Sequence, residues 1–316
     1  MANATAHRVG AVNGGSDKTE LFMKVYGGEV LTAFEEANKT LDKQTIRNIS
    51  SGKSAQFPMT WKLSANYHTP GTELVGQTSN NAEKLITIDD QLIADVFIPN
   101  IDEAMSHFDY RSEYSKQAGL ALAYTWDKNS LQTGVLASRA STAVTGGNGG
   151  SVITSLTTLY RTSATDLAAG IYAAALAMDE KDIPDEEGGM PRWAFLRPAQ
   201  YSLLAQKTDL YNTQTAAGNG NYADGKVLRI GGVILVKTNH LPITNIATGP
   251  TKYQGDFSKV ACLVMNSKAV GTVKLMDLAT EAAWDIRRQG TLMLAKYAIG
   301  QGILRSDCSV SLVTTS

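Results

Sequence analysis

An α+β fold is predicted for this chain, and three runs of residues predict it. Residues 55–67 alternate apolar and polar with a period of two, residues 101–136 carry the spacing of a long helix, and residues 165–313 mix short helices with short strands. At 316 residues the chain has room for two lobes or one elaborated domain.

Residues 1–19 are polar and read as a flexible arm. After them Leu21, Phe22, Val25, Tyr26, Val30, Leu31 and Phe34 recur at three- and four-residue spacing, which predicts an amphipathic helix. Gly27 and Gly28 weaken it by about 1 kcal/mol each. The polar leader offers that helix no surface, so Phe22, Tyr26 and Phe34 are expected to pack on a neighbouring copy.

The clearest pattern follows. Ala55, Phe57, Met59, Trp61, Leu63, Ala65 and Tyr67 alternate with Gln56, Pro58, Thr60, Lys62, Ser64 and Asn66, which predicts a long strand with one apolar face. Pro58 cannot donate to a ladder and places the strand at an edge or on a protrusion. Beyond a turn-rich stretch at Pro70 and Gly71, a second alternating run holds Ile86, Ile88, Leu92, Ala94, Val96 and Ile98, with a bulge expected at Asp89 and Asp90. Paired, the two runs would make an arm of about 14 residues a side, roughly 45 Å long. An isolated hairpin is marginal in water. Its apolar face therefore docks on another chain or belongs to an ordinary sheet of its own domain, and the alternation supports both equally.

Asn100 and Glu103, just after Pro99, form a capping-box-like helix start. Ile101, Met105, Phe108, Leu122, Trp126 and Val135 anchor a helix of thirty-odd residues, about 50 Å long. The glycine-rich stretch 145–151 reads as a linker or surface loop. A helix is expected over 165–181, a strand over 192–196, a helix from Pro198 and a mobile loop over 213–225. Residues 227–236 read as a strand pair or a bent strand across Gly231 and Gly232. Further strands are expected at 260–265, 271–275, 291–299 and 309–313. No internal repeat is found.

Composition excludes several function classes. Charged residues make up 19% of the chain and the formal net charge is -1, so the basic excess of a protein that grips phosphates is missing. Low charge suits surfaces that become buried against partners. Cys262 and Cys308 stand in no metal-type spacing and are expected to be reduced thiols. The start lacks signal-peptide order, and the apolar stretch 167–178 is too short to span a bilayer. A protein without a membrane partner is expected.

No enzyme motif survives inspection. Gly52, Lys53 and Ser54 imitate the end of a P-loop, but Arg47 stands where that loop needs glycine. Gly218, Gly220 and Ala223 satisfy a loose dinucleotide pattern without the strand before and the helix after it. His7, His68, His107 and His240 form no i, i+4 pair. Asp89 with Asp90, and Asp185 with Glu186 and Glu187, are explained as solvated turns. The expectation is a protein with no catalytic, metal or cofactor-binding residues and no cofactor.

At this point the residues resemble a family. Leu21-Phe-Met-Lys-Val-Tyr-Gly-Gly-Glu-Val-Leu-Thr-Ala-Phe34 and Ile49-Ser-Ser-Gly-Lys-Ser-Ala-Gln-Phe-Pro58 are similar to the arm and extended-loop entry of major capsid proteins from T7-like podoviruses (Autographiviridae). Ile86-Thr-Ile-Asp89, Ala94-Asp95, Arg111-Ser-Glu-Tyr114, Ala269-Val-Gly-Thr-Val-Lys-Leu275, Asp277-Leu278 and Ala295-Lys-Tyr-Ala298 continue the likeness in order. It is weaker over 140–260, where Gly232-Val233, Leu241-Pro242 and Gly255-Asp256-Phe257 resemble the apical pattern of tailed-phage capsids.

The resemblance implies the HK97-like fold. Its parts would be an N-terminal arm (1–47), an extended loop (48–98), a peripheral domain with a long spine helix (99–145 and 266–316) and an apical domain (146–265). It implies a shell subunit of hexamers and pentamers, forming an icosahedral head that encloses the double-stranded DNA of a short-tailed bacteriophage. Scaffolding and portal proteins would be its partners, with assembly in the host cytoplasm and residence in the virion. Near-neutral charge would suit a wall that must not hold packed DNA. Some shells of this fold crosslink Lys to Asn; Lys53 and Lys62 lie in the loop, but the resemblance gives no reason to expect that here. The expected inter-subunit contacts are Phe22, Tyr26, Phe34, Phe57, Met59, Trp61, Leu63, Tyr67, Ile86 and Ile88. The alternatives are a nanocompartment shell of the same fold, a soluble α+β enzyme, and a binding module or tail component.

Overall fold

The computed structural model describes residues 29–35, 37–101, 110–155, 159–207, 220–221 and 226–315. Along the chain, β1 (Thr45–Asn48) precedes the hairpin strands β2 (Ser54–Thr60) and β3 (Asn81–Thr87), and β4 (Leu92–Pro99) precedes the long helix α1 (Tyr110–Arg139). Next come β5 (Ser151–Ser155), α2 (Leu159–Thr162), α3 (Ala164–Asp179), β6 (Arg192–Leu196) and α4 (Pro198–Ala205). Short strands β7 (Gly220–Asn221), β8 (Lys226–Val227), β9 (Arg229–Ile230), β10 (Val233–Lys237), β11 (Asn245–Ile246) and β12 (Gly255–Asp256) follow. The chain closes with β13 (Val260–Asn266), β14 (Val270–Asp285), β15 (Gly290–Ile303) and β16 (Ser309–Thr314). Two compact units result: Met1–Asn38, Asp89–Trp126 and Leu275–Ile299 form the smaller, and Lys39–Ile88, Asp127–Lys274 and Gly300–Ser316 the larger.

The larger unit is built on a six-stranded sheet ordered β5-β16-β13-β6-β10-β9. Every residue of β6, β13 and β16 is buried. Strands covered on both faces carry continuous apolar runs rather than alternation, as in Val260-Ala-Cys-Leu-Val-Met265. One core gathers Leu167, Ile171, Ala174 and Met178 of α3 with Phe195, Leu263 and Leu312 of the sheet, and with Leu131 and Val135 of α1. Gly134 lets α1 approach closely: a Cβ there would stand 2.8 Å from the Leu263 side chain. Gly231 and Gly232, with φ of 56° and 75°, form the two-residue turn of a β9–β10 hairpin, so residues 227–236 are a strand pair and not one bent strand.

Ser163 caps α3 by accepting from the Asp166 amide at 3.3 Å, so the helix begins at Ala164, one residue before the expected start. The helix ends at Asp179, short of the expected 181. There the buried Arg192 donates to the carbonyls of Ala175 and Ile183 and to Asp179 Oδ1 at 2.6 Å. Lys181, freed from the helix, donates to the Gly149 carbonyl at 2.8 Å and to Ser151 Oγ at 2.6 Å, fixing the start of β5. Burial holds its ammonium below the usual lysine range.

In the smaller unit β4 pairs antiparallel with β15, from Gly290 opposite Pro99 to Tyr297 opposite Leu92. Residues 29–35 are helical, and Phe34 meets Trp126 and Tyr297 edge-on at 6.0 and 6.2 Å. The surface this helix needs is thus supplied by its own chain. Gly119 makes room for it, since a Cβ there would come 2.6 Å from the Val30 carbonyl oxygen. Phe22 and Tyr26 lie outside the described residues, as do 102–109 of the expected long helix and most of the loop expected over 213–225. The strand expected over 271–275 runs on to Asp285. Its outer half escapes sequence reading because apolar residues fall on both faces, as at Leu275 and Met276 and at Ala283 and Trp284, and leave no alternation.

Candidate inter-subunit surface

The hairpin belongs to the larger unit. β2 and β3 pair antiparallel from Ser54 opposite Thr87 to Thr60 opposite Asn81. The regular ladder stops there, yet the register does not. The Trp61 amide donates to the Asn80 carbonyl at 3.1 Å, Ser64 Oγ meets Gln77 Oε1 at 2.9 Å, and the Thr72 amide donates to the Thr69 carbonyl at 3.2 Å. Each of these pairs continues the spacing set by β2 and β3. The last one closes a turn with Pro70 second and Gly71 third, Gly71 at φ +92°, the signature of a type II turn. A limb of about 16 residues, from Ser54 to Thr69, spans roughly 50 Å when extended.

Two expectations are corrected. The limb that returns beside residues 55–67 is 73–87 and not 86–98, because β4 pairs with β15 instead. Regular strand geometry ends at Thr60 rather than at Tyr67.

The register puts Ala55 with Ile86, then Phe57, Met59, Trp61, Leu63 and finally Tyr67 with Leu74 on one face of the hairpin. At the root this face is covered by the same chain: Ala55, Phe57 and Ile86 are buried with Val273 and Leu304, and Ile88 packs against them. At the tip it is bare, with Leu63 68% exposed, Leu74 80% and Tyr67 wholly exposed. Between the two lies a cleft of about 330 Å³. Phe57, Met59 and Trp61 line one side, Lys268 and Arg305 the other. The Arg305 guanidinium sits 6.0 Å from the Trp61 ring centroid and is held by Asp307 at 2.6 Å.

Two tethers fix the hairpin where its ladder ends. Lys62 Nζ meets Asp182 Oδ2 at 2.5 Å, and Asn80 Nδ2 donates to the Thr145 carbonyl at 2.9 Å. The hydrogen bond from Lys62 keeps the Asp182 carboxyl below the usual carboxylate range.

The sequence candidates therefore fall into separate groups. Phe57 and Ile86, and Phe34 in the smaller unit, are buried within their own chain, with Ile88 partly so. Met59 and Trp61 are half-buried at the cleft. Leu63 and Tyr67 are bare. Leu74 and Val75 carry no signal of their own in the sequence, because residues 73–76 lack alternation. The Thr69-Pro-Gly-Thr72 turn was the signal that would have placed Leu74 opposite Tyr67.

No group of three His, Cys, Asp or Glu side chains among the described residues is arranged to hold a metal ion. Burial raises both thiols, that of Cys308 up to about 12, which leaves them poor nucleophiles. Among the described residues no helix is long and apolar enough to cross a membrane.

Comparison with known proteins gives a consistent answer. A family model described as Gp10A-like major capsid protein matches residues 56–313. The chain is 34% identical to the major capsid protein of Escherichia phage T7 over 94% of its own length and 92% of that protein's. The capsid structure of cyanophage P-SCSP1u aligns over the whole of both chains at 40% identity and a TM-score of 0.80. The mature capsid of bacteriophage PhiM1, at 21% identity, 88% and 87% coverage and a TM-score of 0.72, shows likeness of fold alone.

Proposed function

The chain belongs to the Gp10A-like family of major capsid proteins and has the HK97-like capsid fold, and from that premise we propose that its copies build an icosahedral head through the bare face of the hairpin. In this reading residues 1–47 are the arm, 48–98 the extended loop, 99–145 and 266–316 the peripheral domain, and 146–265 the apical domain. Hexamers and pentamers form in the host cytoplasm with a scaffolding protein and a portal. The closed head then holds the double-stranded DNA of a short-tailed phage without reading its sequence, and the subunit does no catalysis.

One observation carries the reading: a single apolar face that its own chain covers at the root and leaves bare from Leu63 to Leu74. Full burial of a large apolar side chain is worth about 1.5–3 kcal/mol. Leu63, Tyr67 and Leu74 together are a useful share of what association must supply against lost translational and rotational freedom. A contact from the tip of one copy to a different patch of the next is head-to-tail, the kind that closes into rings. The neutral net charge of -1 agrees with a wall that does not bind DNA tightly.

The test is the double variant Tyr67→Ser/Leu74→Ser, which touches nothing buried. It is expected to keep the wild-type melting temperature and to elute as small species with no shells in negative-stain micrographs. Normal-sized particles from that variant would overturn the assignment of the hairpin tip. Trp61→Asp is the blunter variant: it is also expected to stop shells, but it disturbs the cleft of its own chain as well.

A further inference from the structure

We infer that the buried carboxylate of Asp127 is a positioning group, which fixes the course of the chain at Lys39 and Thr40. Asp127 sits on α1 with no exposure at all. A carboxylate buried in this way is costly unless donors surround it. Its partners show what the charge is for. The Lys39 amide donates to Oδ2 at 2.9 Å, and the Thr40 amide and Thr40 Oγ1 donate to Oδ1 at 3.1 and 2.7 Å. His240 Nδ1 lies 3.1 Å from Oδ2, on the loop that follows β10.

Two successive backbone amides pointed at one carboxylate define a direction of the chain, which a hydrophobic contact would not. Thr40 flanks the short 3-10 turn Leu41–Lys43, and Asp127 holds the two residues that lead into that turn from 87 residues away. A second station follows one turn along the same face of α1. Ser130 Oγ and Thr272 Oγ1 both donate to Gln44 Oε1, at 3.4 and 2.8 Å. Thr45 Oγ1 then donates to the Ser267 carbonyl at 2.8 Å. The segment from Lys39 to Thr45 is thus bound at each end before any second copy is met.

The consequence for assembly rests on the shell reading above: the anchor holds residues 39–45 in one course in every copy, and its loss loosens that segment and yields shells of mixed size. The experiment compares the full chain with Asp127→Asn and with the milder Thr40→Val, which keeps both amides and removes only the hydroxyl. Peptide-resolved hydrogen exchange and trypsin cleavage after Lys39 and Lys43 read the anchor, and electron micrographs read the product. Asp127→Asn is expected to speed exchange over 39–44 by about tenfold or more, with β13 and β16 unchanged, and to broaden the size distribution of particles. Thr40→Val is expected to show the same pattern more weakly, and it carries the test alone if Asp127→Asn does not fold. Wild-type exchange over 39–44 in the variants would overturn the anchor. Local loosening with particles of uniform size would overturn its role in assembly. If the unsubstituted chain makes no shells, the shell reading fails, and the exchange data still decide the anchor.

Discussion

The sheet strands β13 and β16 and the hairpin limbs from residue 54 to 87 are both rich in apolar side chains, but they lose water in different ways. β13 and β16 are buried at every position by helices and neighbouring strands of the same chain. The hairpin is buried only at Ala55, Phe57 and Ile86, and the same face ends bare at Tyr67 and Leu74. Apolar content alone does not separate a core from an interface. What separates them is whether the chain itself brings a second surface.

The core is the more sensitive of the two regions. Phe195 is fully buried in the six-stranded sheet, and Phe195→Ala should cost about 3–5 kcal/mol through lost transfer energy and the cavity left behind. Urea unfolding would show this as a lower midpoint at unchanged slope. The same measurement on Tyr67→Ser/Leu74→Ser should stay within about 0.5 kcal/mol of the parent chain. A hairpin-tip loss comparable to the Phe195 loss would mean that the chain covers its own tip, and the distinction would fall.

The two regions also differed in how far the sequence revealed them. Strands buried on both faces announce themselves as short, unbroken apolar runs, and β6, β13 and β16 were found within a residue or two. The hairpin was found but wrongly paired, because alternation runs on from Ile86 to Ile98 across two strands that serve different sheets. Periodicity reports a face and says nothing about the partner. The partner was encoded in Pro70 and Gly71, where turn chemistry fixes the register. The expectation for Phe34 failed for a similar reason: its partners Trp126 and Tyr297 are remote in sequence, and no local pattern predicts a remote contact. Asp127 was invisible on the same grounds, since one acidic residue in a helix reads as solvated surface.

That turn supplies the middle-sized test. Gly71 has φ +92° and open space around the position of a Cβ, so Gly71→Ala meets no clash and pays only the backbone cost of a left-handed conformation, about 1 kcal/mol. The cost should stay in the hairpin. The expected result is faster hydrogen exchange between residues 61 and 80 with the core strands unchanged, and a higher protein concentration required for shell formation. An equal loss of protection in β13 would show that hairpin and core unfold as one unit and are not separately stabilised.

The smallest effect concerns the Lys62–Asp182 tether, because both side chains are largely exposed and solvent screens their attraction. Its sign is nevertheless fixed. The Asp182 carboxyl is held below the usual carboxylate range by its hydrogen bond to Lys62. A depressed folded value means that the tether is complete above the ordinary aspartate range and is lost only as pH falls through the lowered value. Carboxyl NMR of Asp182 should therefore show a midpoint below about 3.9, the model-peptide figure, and Lys62→Met should move it upward while leaving the core signals in place. The same substitution should loosen residues 61–64 at neutral pH, where the parent chain keeps the tether. A midpoint indifferent to Lys62 would detach the hairpin from Asp182 and leave Asn80 and Thr145 as the contact that aims it.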